Sequence, residues 1–240
     1  MAKISVRNCT LDYPLYGVSS RSLKKMVISA ATGGRIAANS REITVVRALS
    51  SLDLEALPGD RVGLWGHNGS GKTTLLRALA GIYAPSEGSI ELTGSVASLI
   101  DPAMGFELDA SGHENITLRG LLHGMSREQI ESLRSDIAEF SGLGDYLDLP
   151  VRVYSSGMQM RLAFSIVTAV SADIILMDEW LSVGDAEFSA KAEGRLRNLI
   201  DNAKIIVLAS HNLDLIRSVC NRVITLEHGK IIAEERSAAQ

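Results

Sequence analysis

The apolar residues of this chain fall into short runs that alternate with stretches of helical periodicity. Two runs contain apolar residues only, Ile174 to Met177 and Ile205 to Leu208, which is typical of strands buried on both faces of a parallel sheet. A third apolar run, residues 62–65, leads into a glycine-rich turn. Because such strands alternate with helices along the chain, the pattern predicts an open α/β sheet.

Weaker patterns near the two ends of the chain predict additional strands. Residues 3–11 alternate weakly between apolar and polar positions and predict an edge strand, and residues 45–57 predict another strand. Shorter strands are expected at residues 87–92 and 96–100. Residues 223–232 predict a hairpin that closes the chain.

Residues 112–163 carry apolar positions at helical spacing and predict a helical block inserted between strands. Ser126 followed by Gln129 is a capping-box pattern, which predicts the start of one helix in this block. Further helices are expected from Met158 to about Ser171 and from Ala186 to about Asp201. The position of the block favours a separate helical subdomain.

Composition and charge indicate an ordinary globular protein. A length of 240 residues suits one large domain or a core with an appended lobe. The net charge of −4 gives no reason to expect nucleic acid as a partner. The first five residues lead into polar sequence, so we expect no signal peptide. No uninterrupted apolar stretch reaches the roughly 20 residues of a membrane helix, so we expect a partner to supply any membrane part.

One segment, residues 17–41, differs from the rest in composition. It contains five cations and no acidic residue. Within it, Ser22 to Ile28 has the spacing of a short amphipathic helix. Two interpretations stay open, a solvated surface insertion and a contact with a membrane partner or with anionic lipid headgroups.

The strongest motif is the run Gly66 to Thr73, which has the pattern GxxxxGK[ST] of a P-loop. Its glycines let backbone N–H groups point inward, and the helix behind it adds the positive end of its dipole. Lys72 would reach the β- and γ-phosphates, and the Thr73 hydroxyl would ligate Mg²⁺. The motif predicts that the chain binds a nucleoside triphosphate. The candidate nucleotide contacts in and beside it are Gly66, His67, Asn68, Gly69, Ser70, Gly71, Lys72, Thr73 and Thr74.

Three polar residues follow two of the buried strands. Asp178 ends one strand, where open α/β sheets place ligand sites, and is a candidate Mg²⁺ ligand. Glu179 would polarise a water in line with the γ-phosphate, and His211, after the next strand, would hydrogen-bond that phosphate or the attacking water. Without the P-loop these residues would be read as ordinary helix-start residues. With it, Lys72, Glu179 and His211 are the candidate catalytic residues.

On these motifs the chain resembles the nucleotide-binding subunit of ABC transporters over essentially its whole length. Tyr154 to Met158 stands where that family has LSGGQ, and this segment begins a helix. The resemblance implies that Ser155 and the Gly157 N–H contact a γ-phosphate held by a second cassette. It therefore implies that the chain acts as a homodimer.

Other family positions can be matched one by one. Ser182 to Asp185 matches the D-loop, which makes Asp185 a candidate nucleotide contact, and His211 matches the switch histidine. Tyr13 is the candidate for the aromatic that stacks on adenine, with Tyr16 as the alternative. Asp101 stands where most relatives have the Q-loop glutamine and is a further candidate metal ligand.

The resemblance also implies a fold. It is an α/β fold, with a P-loop NTPase (RecA-like) core built on a mostly parallel sheet, an N-terminal antiparallel β subdomain and an inserted α-helical subdomain. Residues 1–240 would form a single nucleotide-binding domain, in which residues 1–111 and 172–240 are the catalytic core. Residues 112–171, approximately, would be the helical subdomain. The implied cofactors are ATP and Mg²⁺.

Several details are similar to one subfamily, the ATPase subunits of polysaccharide exporters for O-antigen, capsule and teichoic acid. Ser156 and Met158 replace the usual Gly and Gln of the signature. The other shared features are Tyr13-Pro14-Leu15-Tyr16, Gly105-Phe106, Glu114-Asn115 and Val183-Gly184-Asp185. This similarity implies an ATPase bound peripherally at the cytoplasmic face of the inner membrane. It would act beneath a polytopic permease that exports a lipid-linked polysaccharide.

The alternatives are an importer cassette, a non-transport ABC ATPase in translation or DNA repair, and a P-loop GTPase or small-molecule kinase. No second cassette, coiled-coil arm or zinc cysteines support the non-transport ATPase, and no NKxD motif supports the GTPase. Only the subfamily motifs disfavour the importer cassette. After the predicted hairpin only residues 233–240 remain, so we expect no separate carbohydrate-binding domain. Trp65 and Trp180 lie beside nucleotide motifs, so we expect no sugar platform on the cassette.

Overall fold

The structure is a computed structural model of the chain. It describes residues 1–14, 36–38, 44–100, 105–179 and 186–236. Most of the basic segment, residues 17–41, therefore lies outside the described residues. The chain divides into two compact units, one formed by residues 1–94 and 205–240 and the other by residues 95–204. The predicted helical subdomain falls within the second unit, and its exact boundaries stay a prediction.

The regular elements alternate between strands and helices, with most helices in the second half of the chain. In chain order they are β1 (Lys3–Pro14), β2 (Ile36–Ala38), β3 (Thr44–Ala56), β4 (Arg61–Trp65), α1 (Lys72–Leu79), β5 (Glu87–Thr93), β6 (Val96–Leu99), α2 (Gly112–Leu122), α3 (Arg127–Ser141), α4 (Ser156–Val167), β7 (Ile174–Asp178), α5 (Ala186–Asn202), β8 (Ile205–Ala209), α6 (Leu213–Val219), β9 (Arg222–Glu227) and β10 (Lys230–Arg236). Two short 3₁₀ helices, Gly144–Asp148 and Val151–Val153, precede α4.

The first unit contains an antiparallel sheet in the order β2-β3-β1-β5. Ile4 of β1 lies opposite Ala56 on one side and opposite Leu92 on the other. The prediction that residues 3–11 form an edge strand is therefore wrong, because β1 is paired along both edges. Its buried side chains, Ile4 and Val6 among them, contribute to the core of this unit.

The first unit also contains strands in the order β10-β9-β4-β8, of which β9, β4 and β8 are parallel and β10 is antiparallel. Leu64 of β4 lies between Ala209 of β8 and Ile224 of β9. These parallel strands are buried, as their apolar runs predict. Their carboxyl ends meet at one edge, which is where open α/β sheets bind ligands.

A buried arginine connects β9 to other parts of the first unit. The Arg222 side chain is only 7% exposed and bonds Glu234 of β10 with both Nε, at 2.7 Å, and Nη2, at 3.2 Å. Its Nη1 atom donates to Asp60 at 3.2 Å and to the carbonyl oxygen of Glu55. This ion pair lowers the pKa of the Glu234 carboxyl below its ordinary value, because the charged form accepts the hydrogen bonds.

In the second unit β6 and β7 pair in parallel, and the three helices α2, α3 and α4 share an apolar core. Its members are Ile116, Met125, Ile130, Ile137, Leu143, Leu147, Val151, Tyr154, Leu162 and Ile166. The predicted capping box of α3 is confirmed, since Ser126 Oγ accepts from the Gln129 N–H and Gln129 returns a bond to the Ser126 N–H. A second capping box, Ser111 with Glu114, starts α2.

Helix α4 ends at Val167, earlier than the predicted Ser171. Thr168 forms its C-cap, and the Thr168 hydroxyl donates to the Phe164 carbonyl at 2.7 Å. Arg195 of α5 donates from Nε to the Thr168 carbonyl at 3.2 Å. The Thr168 carbonyl, one of those that a helix end leaves without an intrahelical partner, is thus satisfied by a side chain of α5. No helix within the described ranges is long and apolar enough to span a membrane.

Candidate nucleotide-binding site

The P-loop, residues 66–73, connects β4 to α1. At two of its positions, Gly66 and Gly71, only glycine fits. Gly66 has φ +154°, and a Cβ there would lie 2.3 Å from the Leu226 carbonyl oxygen. Gly71 has φ +116°, and a Cβ there would lie 3.2 Å from the Ala48 carbonyl oxygen. The neighbouring strands therefore crowd the loop and hold it in the curled shape that a phosphate cradle needs.

Lys72, the first residue of α1, has its ammonium group inside this loop. The Nζ atom donates to the carbonyl oxygens of Gly66, at 2.7 Å, and His67, at 3.1 Å. Gly71 is the N-cap residue of α1, and among the described residues no side chain caps this helix start. The first-turn amides and the Lys72 charge thus concentrate positive potential at one place, which suits a phosphate group.

Ser70 shapes the loop from the inside. Its N–H donates to the His67 carbonyl at 3.0 Å, and its carbonyl accepts from the Gly229 N–H at 2.8 Å. The Ser70 hydroxyl is fully buried and has no hydrogen-bond partner among the residues that the structure describes. This hydroxyl lies on the Gly66 side of the loop, 2.7 Å from where a Gly66 Cβ would be. A buried polar atom in this position carries a desolvation cost that no hydrogen bond from the described residues offsets.

His211 lies at the same edge of the sheet as the P-loop. Ser210 donates from its N–H to the Leu64 carbonyl at 3.2 Å, which continues the pairing of β8 with β4 beyond the last strand residue. His211 follows and is exposed. The next helix, α6, is capped by the Asn212 side chain, which accepts from the Leu215 N–H at 3.1 Å. The capping of α6 is therefore performed by Asn212 and not by His211.

Tyr13 lies beside the start of α1. Its hydroxyl hydrogen-bonds Thr74, and its ring packs edge-to-face against Tyr83 with centroids 5.3 Å apart. Partial burial raises the pKa of the Tyr13 phenol above its ordinary value, and the neighbouring Tyr83 adds to that shift. Tyr16, the alternative adenine partner, lies outside the described residues. Tyr83 is a contact that the sequence analysis missed.

In the second unit, Asp178 and Glu179 mark the carboxyl end of β7. The four residues before them are fully buried, Asp178 is half-buried and Glu179 is exposed. Glu179 has φ +66°, a left-handed backbone conformation that costs a non-glycine residue about 1–3 kcal/mol. Such strain is concentrated at functional sites. Asp101 and Asp185, the other candidate acids, lie outside the described residues.

The signature-like segment forms the start of α4, as its sequence predicts. Ser155 is the N-cap, and its exposed side chain accepts from the Met158 N–H at 3.2 Å. The Ser155 O–H can still donate, because a hydroxyl both donates and accepts. Apart from the Ser155 oxygen at 3.8 Å, a Cβ at Gly157 would meet open space. Tyr154 is buried and donates to the Tyr146 carbonyl at 2.5 Å, which anchors this helix start in the core.

The family model described as "ABC transporter" matches residues 49–182, more than half of the chain. The chain belongs to the ABC transporter family. The match contains the P-loop, the signature-like segment and the acids at the end of β7. As an ABC cassette, the chain binds nucleotide and is an ATPase.

Two similar proteins align with nearly the whole length of this cassette. The O-antigen export system ATP-binding protein RfbE of Yersinia enterocolitica is 46% identical over 234 residues, which are 98% of each chain. The teichoic acids export ATP-binding protein TagH of Listeria innocua is 35% identical over 240 residues, which are 99% of this chain and 69% of TagH.

A solved structure is similar in fold. It is the ATP-binding cassette MJ0796, a dimer in a post-hydrolysis state bound to ADP and Pi, with a TM-score of 0.69. The match covers 99% of this chain and 100% of that chain at 19% identity, which supports the fold alone. The α/β cassette fold expected from the sequence is thereby confirmed.

Proposed function

We propose that this cassette powers the export of a lipid-linked, O-antigen-like polysaccharide across the cytoplasmic membrane. One observation carries the proposal, the 46% identity to RfbE over 98% of both chains. Similarity over the whole length includes the surfaces that distinguish one type of cassette from another, and not only the nucleotide motifs. The cassette would bind peripherally to a polytopic permease, which would supply the path for the glycan. No feature of the charge pattern favours nucleic acid.

In the proposed site, the P-loop amides and Lys72 hold the phosphates of ATP. Thr73 and Asp178 would hold Mg²⁺, and the fit rests on their chemistry, since a hydroxyl and a carboxylate are oxygen ligands of the kind that Mg²⁺ prefers. The ion supplies neutralisation of charge on the β- and γ-phosphates. Glu179 would take a proton from the attacking water, and His211 would hydrogen-bond the γ-phosphate.

The signature-like segment would act on nucleotide bound by a second copy of the chain. Ser155 is exposed and keeps a donor, and the α4 start presents first-turn amides next to Gly157. A helix start of this kind attracts anions, but the P-loop of the same chain already has its own helix start in α1. In a homodimer in which the α4 start of each chain faces the P-loop of the other, both helix starts would bind the phosphates of one nucleotide.

A second candidate substrate is teichoic acid, because TagH is 35% identical over 99% of this chain. The two candidates share the reaction and differ in the glycan. Cells that lack their own exporter ATPase would be supplied with this cassette and a candidate permease subunit. We expect surface O-antigen-type glycan to be restored by the native chain and not by Glu179→Gln. Restoration of wall teichoic acid alone would favour the second candidate, and restoration of neither would contradict export of both glycans.

A further inference from the structure

Three side chains at the rim of the P-loop can offer ligand atoms to one ion. They are His67 in the loop, Glu227 at the end of β9 and His228 in the turn between β9 and β10. One nitrogen of each histidine and one carboxylate oxygen lie within 4.8 Å of one another. The two imidazole rings are 5.5 Å apart, and His228 Nε2 is 4.0 Å from Glu227 Oε1. All three residues are exposed, so an ion reaches them without crossing the core.

The hydrogen bond of His67 leaves one of its nitrogens able to bind an ion. His67 Nδ1 lies 2.8 Å from the Asn68 carbonyl oxygen. A carbonyl oxygen only accepts, so the proton is on Nδ1 and the lone pair of the neutral ring is on Nε2. Metal-binding histidines usually have this arrangement, in which a backbone carbonyl fixes the tautomer and the orientation of the ring.

The backbone keeps the two halves of this cluster together, although they are far apart in sequence. The Gly229 N–H donates to the Ser70 carbonyl at 2.8 Å, and the Ser50 N–H donates to the Gly229 carbonyl at 2.9 Å. His228 precedes Gly229, and His67 is bonded through its own carbonyl to the Ser70 N–H at 3.0 Å. These backbone hydrogen bonds of the folded unit therefore hold the two histidines near each other before any ion binds.

We propose that His67, Glu227 and His228 form a binding site for a divalent transition metal ion of the zinc type. Two imidazoles and a carboxylate suit Zn²⁺, with water as a fourth ligand, whereas Mg²⁺ and Ca²⁺ take oxygen ligands. Tetrahedral bonds of about 2.0–2.1 Å place ligand atoms roughly 3.4 Å apart. Exposed side chains can close the remaining distance by rotating about their χ angles. This site is separate from the Mg²⁺ position proposed above, which uses other residues.

Occupation of this site would restrain the P-loop. The His67 carbonyl accepts from Lys72 Nζ at 3.1 Å, so the residue that binds the ion also contacts the phosphate-binding lysine. The ion would thus join the turn after β9 to the loop through side chains, in addition to the existing bond between Gly229 and Ser70. The inference does not depend on the transported substrate.

The test uses the full chain, freed of metal by a chelator and without nucleotide, titrated with Zn²⁺ in a calorimeter. We expect one ion per chain. His67→Asn and His228→Asn should each weaken binding by at least about 10-fold, since even loss of an outer-shell partner costs that much. Asparagine tolerates the left-handed backbone of His228, which has φ +49°. The matched control is His123→Asn, which removes a histidine in the second unit and should leave the affinity unchanged.

A second measurement counts the imidazoles. Cu²⁺ bound to the native chain should give an electron paramagnetic resonance signal with two imidazole nitrogens, and each cluster variant should show one. Circular dichroism establishes that the variants are folded. Absence of Zn²⁺ binding by the native chain, full affinity in both cluster variants, or loss of affinity in His123→Asn would each overturn the proposal.

Discussion

Removing the Ser70 hydroxyl should stabilise the nucleotide-free cassette. This oxygen is fully buried and has no hydrogen-bond partner within the described part of the chain, whereas most serine-to-alanine changes remove a bond. An unsatisfied buried polar group costs about 1–3 kcal/mol, and Ser70→Ala removes that cost without creating a large cavity. In a chain of this size 1 kcal/mol corresponds to about 2–4 °C in the melting temperature. We therefore expect an increase of at least about 2 °C.

The assay is thermal unfolding of Ser70→Ala beside the native chain and a matched serine-to-alanine control. Ser126→Ala removes the N-cap of α3 and should lower stability by about 0.5–2 kcal/mol, so the two variants should shift in opposite directions. Binding of ATP to Ser70→Ala should be unchanged, because the missing hydroxyl is buried on the Gly66 side of the loop. A lower melting temperature for Ser70→Ala would refute the reasoning and would mean that the hydroxyl makes a stabilising bond.

Three further predictions concern the chemistry, the dimer and the pH dependence. Glu179→Gln should keep ATP binding and reduce hydrolysis about 10²–10⁴-fold, since a general base is lost; near-normal phosphate release would exclude Glu179 from that role. Lys72→Ala and Ser155→Arg homodimers should both be inactive, and mixing them should restore part of the activity in a phosphate-release assay, whereas an active Ser155→Arg homodimer would contradict a shared site. Because Arg222 lowers the folded-state pKa of Glu234, the stability from this pair is present above the ordinary carboxyl value of 4.5 and is lost as pH falls through the lower folded value. Melting temperatures of Glu234→Gln should therefore fall less steeply than those of the native chain below pH 4.5, and parallel curves would exclude this contribution.

The sequence predicted those elements that local pattern determines. The apolar runs at 174–177 and 205–208 are buried strands, and Ser126 caps α3, because burial and capping depend on residues close together in the chain. The position of β1 could not be predicted in the same way. An interior and an edge strand of an antiparallel sheet show the same alternation, and only the pairing with β3 and β5 distinguishes them.

The same distinction between local pattern and distant contacts applies to the residues of the candidate site. The P-loop and the acids after β7 could be found because their chemistry requires fixed residue types at fixed spacing. Tyr83 and Gly229 were missed, since each contacts the site from a distant segment and neither belongs to a motif. The only sequence signal for Gly229 was its place in the predicted hairpin turn. The bond from Arg195 to the Thr168 carbonyl at the end of α4 could not be predicted either, because Arg195 belongs to another helix.

The bond from Gly229 to Ser70 has a consequence for the order in which the cassette is made. A ribosome releases the P-loop early, but the residue that bonds the Ser70 carbonyl is synthesised about two-thirds of the chain later. The whole second unit, residues 95–204, is translated in between. A nascent chain therefore carries a nucleotide motif whose supporting contact does not yet exist. The ability to retain ATP firmly should arise only when Gly229 has left the ribosome and can bond the Ser70 carbonyl, which delays energy use until that contact forms.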